Sequence, residues 1–216
     1  QNQIKKKYNL KVNFEDDISY ALFPKPHFYA NNLNIFQDDN VLINSKNTRI
    51  YISIKNFFSF DALKVKNILF KDNEFNIKKQ NLSFFTNILN SNNSDNTIIF
   101  EDSIIFYKDI SEDVIFLVDL NDLKFFFDLE KKYQLMANFK IFNLPFKLNL
   151  NHNKDKNFFS FSLESKNIRL KIKNFFQYSN KNFNGNLEAQ ILNDIKYFIY
   201  DIKNNSLSIN SKDNNF

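Results

Sequence analysis

Apolar side chains stand at every second position along almost the whole chain, and a single glycine interrupts them. No other feature constrains the fold as tightly. Between Lys132 and Asn151, Tyr133, Leu135, Ala137, Phe139 and Ile141 share one parity. After Asn143 the pattern slips by one residue and continues through Leu144, Phe146, Leu148 and Leu150. Successive strand side chains point to opposite faces, so alternation of this length specifies half-buried β-strands and not a helix. Asn143, Leu144 and Pro145 mark a turn or bulge, because proline cannot donate to a ladder.

The pattern recurs through the chain. Tyr8, Leu10, Val12 and Phe14 form one such set, and Leu33 and Ile35 another. Ile50, Ile52 and Ile54 alternate with Arg49, Tyr51, Ser53 and Lys55, and Val114, Phe116 and Val118 also share a parity. Residues 61–79 read as two short strands separated near Asp72 and Asn73; residues 97–109 and 113–130 each carry a polar break. Asn, Asp, Ser and Lys clusters punctuate the runs, and Asn replaces glycine at turns because it tolerates the left-handed conformation. The expectation is about a dozen or more strands of roughly five to nine residues. Two segments read as short helices. One is 56–63; the other is 81–91, where Leu82, Phe85 and Leu89 recur at helical spacing. The polar run 91–97 marks a boundary between residues 1–90 and 98–216. With no long helix between strands, a βαβ architecture is excluded.

Composition removes most function classes. The net charge is +5, but the lysines read first as a solvated face, and 28 phenylalanines supply ample apolar surface to drive folding. There is no cysteine, hence no thiolate chemistry, and the redox compartment stays open. No run reaches the roughly 18 apolar residues of a membrane-spanning helix. Gly185 is the only glycine, which excludes glycine-rich phosphate loops and a G-x-S-x-G elbow. His27 and His152 lie far apart in sequence, and each reads as a surface residue. The acidic groups at 15–17, 37–40 and 111–113 read as turn residues. Neither catalysis, nor a metal, nor a cofactor is expected. Residues 168–183 interleave aromatic and basic groups, but Ile168, Leu170 and Ile172 share one face and the basic residues take the other. A stacking site for single-stranded nucleic acid would mix them, so no nucleic-acid partner is expected.

What the apolar face covers is left open by periodicity. Two sheets packed face to face would make it a structural core. In an outer-membrane barrel it would face lipid, against which the short strands and many lysines count. A sheet folded lengthwise would line an open groove with Phe, Ile and Leu, which have no polar atoms needing partners.

Three segments bear on this choice: "PKPHFYANNLNIF", "NTRIYISIKNFFSFDALKVKNILFKDNEFNI", and the strand series from "TIIFEDSIIFYKD" to "YQLMANFKIFNLPFKLNLN". Together they resemble the AsmA-like family of bacterial envelope proteins, related to bridge-like lipid carriers, over residues 8–150. The family keeps glycines at several turns where this chain has Asn, Asp or Ser. The resemblance implies an all-β fold: a long, mostly antiparallel curved sheet forming an elongated β-groove, with one or two short helices. It implies a periplasmic lipid-binding or lipid-transfer scaffold with a phospholipid partner and no enzymatic reaction. It further implies an inner-membrane anchor absent from this chain, with Lys5–Lys7 just beyond it, and a role in outer-membrane biogenesis. On this reading the groove lining comprises Ile50, Ile52, Ile54, Val114, Phe116, Val118, Leu135, Phe139, Ile141, Phe146, Leu148 and Leu150. The alternative is a structural or assembly-assisting envelope protein that binds other proteins through its sheet edges.

Overall fold

A computed structural model describes residues 10–37, 40–53, 64–79, 96–127, 132–153, 155–179, 182–203 and 206–212. The described residues are almost entirely strand. In chain order these are β1 (Leu10–Phe14), β2 (Ser19–Ala21), β3 (His27–Gln37), β4 (Asn40–Ile52), β5 (Val65–Lys78), β6 (Thr97–Lys108) and β7 (Val114–Phe127). They continue with β8 (Lys132–Ile141), β9 (Leu144–Asn153), β10 (Phe158–Ser165), β11 (Leu170–Ser179), β12 (Asn182–Ile191), β13 (Asp194–Lys203) and β14 (Ser206–Lys212). All belong to one 14-stranded sheet whose order begins at β1 and runs β3 to β14 in sequence, with β2 paired to β3. The order is open, with β1 and β14 at its ends. A sandwich needs a second sheet, and the described residues contain none.

From β1 to β6 and from β8 to β14 the paired strands are antiparallel except for β5 with β6, which run parallel. A parallel neighbour requires a crossover of a dozen or more residues, and the sequence between Lys78 and Thr97 is long enough for one. Both segments read as helical, 56–63 and 81–91, fall outside the described residues, as does most of the polar boundary run. By internal contacts the chain divides into Gln1–Lys124 and Phe125–Phe216, a division that falls inside β7.

Several strands are longer than the expected five to nine residues: β4 has 13, β5 and β7 have 14, and β6 has 12. These lengths reach those of membrane-barrel strands, so strand length does not count against a barrel. The polar breaks at Asp72 and Asp102 do not end strands. Both residues adopt a positive φ, at 55° and 48°, as does Asn32 at 51°. A single left-handed residue inserts an irregularity without ending the ladder, and Asn and Asp enter that conformation at low cost.

These residues lie next to one another across the first unit. Asn31 pairs with Asn47, Asn47 with Lys71, and Lys71 with Glu101. On one side of this line Leu33, Ile35, Phe75 and Ile105 have odd numbers; on the other Phe28, Ile68, Phe70 and Phe100 have even numbers. Phe100 stacks on Phe70 at 5.0 Å and meets Phe75 edge-on at 5.2 Å, so both sets occupy one face. The parity slip thus keeps the apolar face continuous. Beneath it Leu10, Leu42, Ile43 and Phe75 form the buried cluster, with Ile35, Ile77, Phe100 and Ile105 packed against it. Beside the line several buried residues are polar and bonded to one another. Asn73 donates to Ser103 Oγ at 2.7 Å, and Thr48 donates to Ser45 Oγ at 3.3 Å.

Candidate functional site

Cross-strand partners share a face, so the register of the second unit identifies its two surfaces directly. One row runs Tyr133, His152, Phe159, Phe176, Gly185, Tyr200, Ile209. The next runs Leu135, Leu150, Phe161, Asn174, Leu187, Phe198, and a third runs Ala137, Leu148, Leu163, Ile172, Ala189, Lys196. Phe139 opposes Phe146 and Ile141 opposes Leu144 on the same side. This face is apolar over most of its extent. The opposite face is polar: Asn138, Lys147, Glu164, Lys171 and Gln190 make one of its rows, and Lys173 bridges Glu188 at 3.1 Å. Its apolar residues include Phe158, Phe175 and Ile199, which come together, and the exposed Met136 and Ile195.

Rings tie the first row together. Phe125 lies 6.0 Å from Tyr133, Tyr133 6.0 Å from His152, and His152 5.9 Å from Phe159. Phe159 and Phe176 follow at 4.8 Å, and Phe176 and Phe183 at 6.2 Å. The separations fit attractive ring contacts, each contributing about 0.5–1.5 kcal/mol beyond area burial. His152 is not the solvated turn residue that its polar neighbours imply. It is 8% exposed, and its Nε2 lies 2.8 Å from the Tyr178 hydroxyl. Strand β9 extends through Asn153, so the alternation carries His152 onto the apolar face. His27 is corrected likewise: it opens β3, is buried, and its Nδ1 meets the Lys25 carbonyl at 2.7 Å.

The chain's only glycine also belongs to this row. A Cβ on Gly185 would lie 2.6 Å from the Tyr200 ring and 2.7 Å from the Phe175 carbonyl oxygen. Tyr200 lies across the bare backbone, and its hydroxyl donates to Asn174 Oδ1 at 2.9 Å. Glycine here makes room for an aromatic side chain from the next strand.

The expected lining residues separate into groups. Leu135, Phe139, Ile141, Phe146, Leu148 and Leu150 all lie on the apolar face of the second unit, half-buried. Phe139 and Phe146 stack at 5.6 Å. In the first unit Ile50 is half-buried beside Ile68, whereas Ile52 is 8% exposed. Val114, Phe116 and Val118 grade from 50% through 36% to 9% exposed along β7, and Phe116 stacks on Tyr107 at 4.8 Å. Ile52 and Val118 are packed by the protein itself and have little surface left for a ligand. Ile54 lies outside the described residues. The register also adds residues absent from the expected lining: Phe159, Phe161, Leu163, Phe176, Leu187 and Phe198. The alternation around them was visible, but their shared side depends on pairings that sequence does not state.

The decisive property is how this face is covered. Its apolar residues in β9 to β13 are half-buried or exposed, apart from a few at the β7–β8 side such as Phe125, Tyr133 and Ala137. The described residues form one sheet, so no second sheet among them lies on this face. Soluble proteins seldom leave contiguous apolar surface beyond a few hundred Å² without an occupant for it. Among the described residues no three His, Asp or Glu side chains come together in metal-binding geometry. No family model matches this sequence, and no curated protein matches it significantly. The class of protein is therefore defined by the fold and the face: an open, single-sheet β-protein whose second unit has one apolar face.

Proposed function

We propose that the protein is a lipid-binding and lipid-transfer scaffold whose apolar sheet face carries the acyl chains of phospholipids. One observation carries this reading: the apolar rows from Tyr133 to Tyr200 lie on a face that no second sheet covers among the described residues. Leu, Ile and Phe side chains provide a lining with no polar atoms to satisfy, and each methylene removed from water contributes about 0.8 kcal/mol. No bond is made or broken. Lipid moves along a continuous apolar surface while its head group stays in water. The resemblance to AsmA-like envelope proteins supports the same reading and, with it, a periplasmic site and a contribution to outer-membrane biogenesis.

Native mass spectrometry of protein purified without detergent tests the proposal. The expected result is co-purified phospholipid, lost in Leu148→Asp while the far-ultraviolet β-spectrum is retained. A wild-type protein that carries no lipid and takes none from added micelles would sink the reading. A second reading, assembly through a sheet edge, is favoured by β14. This strand ends the sheet order and is exposed from Ser206 to Ser211, including Leu207 and Ile209. An extended segment of another protein can add to such an edge.

A further inference from the structure

The turns along one edge of the second unit break two rules of turn chemistry at once. Strands β8 to β13 alternate in direction, so the β8–β9, β10–β11 and β12–β13 turns lie along the same edge. Phe142 and Asn143 make the first turn, with φ of 50° and 63°. Arg169, in the second, has φ of 49°, and Leu192, opening the third, 57°. Bulky side chains seldom occupy this region, and Asn or Gly fills it at lower cost. The chain is rich in Asn and places it at just such a position in Asn32 and Asn157.

Phe142 and Leu192 are also exposed, at 82% and 58%, so neither conformation nor burial within the described fold accounts for them. Ile168 and Ile191 beside them are exposed too. The Leu192 N–H donates to the Arg169 carbonyl at 2.9 Å and joins two of the turns into one rim. The segments joining the other strand ends read Asp-Leu-Glu-Lys, Lys-Asp-Lys-Asn, Asn-Lys and Asn-Asn in sequence, with Leu129 their one apolar residue. The apolar tips therefore concentrate along one edge.

The charge on this edge is mostly basic. Lys140, Lys166, Arg169 and Lys196 are exposed on or beside the turns, and the acidic residues equally near are the half-buried Glu164 and the exposed Asp194. Apolar tips surrounded by long basic side chains match the boundary between acyl chains and anionic head groups. A protein partner would account for the apolar tips, but the basic surround favours a bilayer.

We infer that this edge docks on the interfacial layer of an anionic phospholipid membrane, with Phe142 and Leu192 inserted below the head groups. The inference is independent of lipid carriage on the sheet face, and the two fail separately: variants at the edge leave co-purified lipid in place. The test uses the full chain with vesicles of phosphatidylcholine alone and of phosphatidylcholine with phosphatidylglycerol. Flotation with the anionic vesicles is expected, weakening as salt is raised.

The chain has no tryptophan, so Phe142→Trp provides a single reporter. Its emission should shift to the blue on vesicle addition and be quenched by brominated acyl chains. Phe142→Asn with Leu192→Asn should weaken binding about tenfold for each side chain, while thermal stability holds or rises because Asn relieves the left-handed strain. Absence of flotation in the wild type overturns the inference. So does a reporter that stays unquenched, or a double variant that binds as the wild type does. Self-association through this edge without vesicle binding would assign it to a protein contact and overturn the inference as well.

Discussion

Gly185 is the position where one atom matters most. The added methyl of Gly185→Ala meets both the Tyr200 ring and the Phe175 carbonyl, and the second of these is backbone that cannot rotate away. Overpacking of this kind costs about 1–3 kcal/mol. Urea unfolding should show a lower midpoint, and Gly185→Ala combined with Tyr200→Ala should recover part of the loss. His152 makes a companion case, held among the Tyr133, Phe159 and Tyr178 rings with its Nε2 bonded to the Tyr178 hydroxyl. Tyr178→Phe removes that hydroxyl and should destabilise by about 1 kcal/mol or somewhat more, since a buried polar group loses a partner. Equilibrium denaturation checks it, and an unchanged midpoint would show that the bond contributes nothing. Neither role was legible in the sequence. His152 is surrounded by Asn and Lys, and only the pairing of β9 with β8 and β10 places it between rings.

At the scale of the strand, the turn chemistry was half legible. Asn at left-handed turn positions was expected, and Asn143 and Asn157 occupy such positions, while Asn32, Asp72 and Asp102 adopt the same conformation inside strands. Their consequence was not. Asp72 and Asp102 read locally as breaks between short strands, but each sits inside a continuous one. A left-handed residue ends a strand only when its neighbours cannot resume pairing, and here Lys71 and Glu74 both remain in register with β6. Asp72→Val should therefore destabilise the first unit by about 1–2 kcal/mol, because a β-branched residue is strained at this φ. Asp72→Asn and Asp72→Gly should be tolerated. Thermal unfolding of the three variants distinguishes this from a charge effect, which would penalise all of them alike.

At the scale of the whole molecule, the question is what the apolar face meets. An uncovered face should bind an environment-sensitive apolar dye in the native state. Phospholipid should displace the dye, and cooperative unfolding should persist. A closed core would take up the dye only on unfolding. Leu148→Asp and Asn149→Asp, adjacent residues on opposite faces, should part company: the first should reduce dye binding at least severalfold, and the second should leave it unchanged. The all-β class and the parity of β8 and β9 were set by the amino-acid order itself. A period of two follows from local backbone geometry and needs no partner. Which strands pair, and hence that Phe159, Phe176 and Leu187 join Leu135 and Leu148 on one side, was decided by tertiary structure. So was the burial of Ile52 and Val118 while Leu148 stays partly open. Alternation says that a side chain has a face; only the neighbours brought there by the rest of the chain determine whether that face is covered.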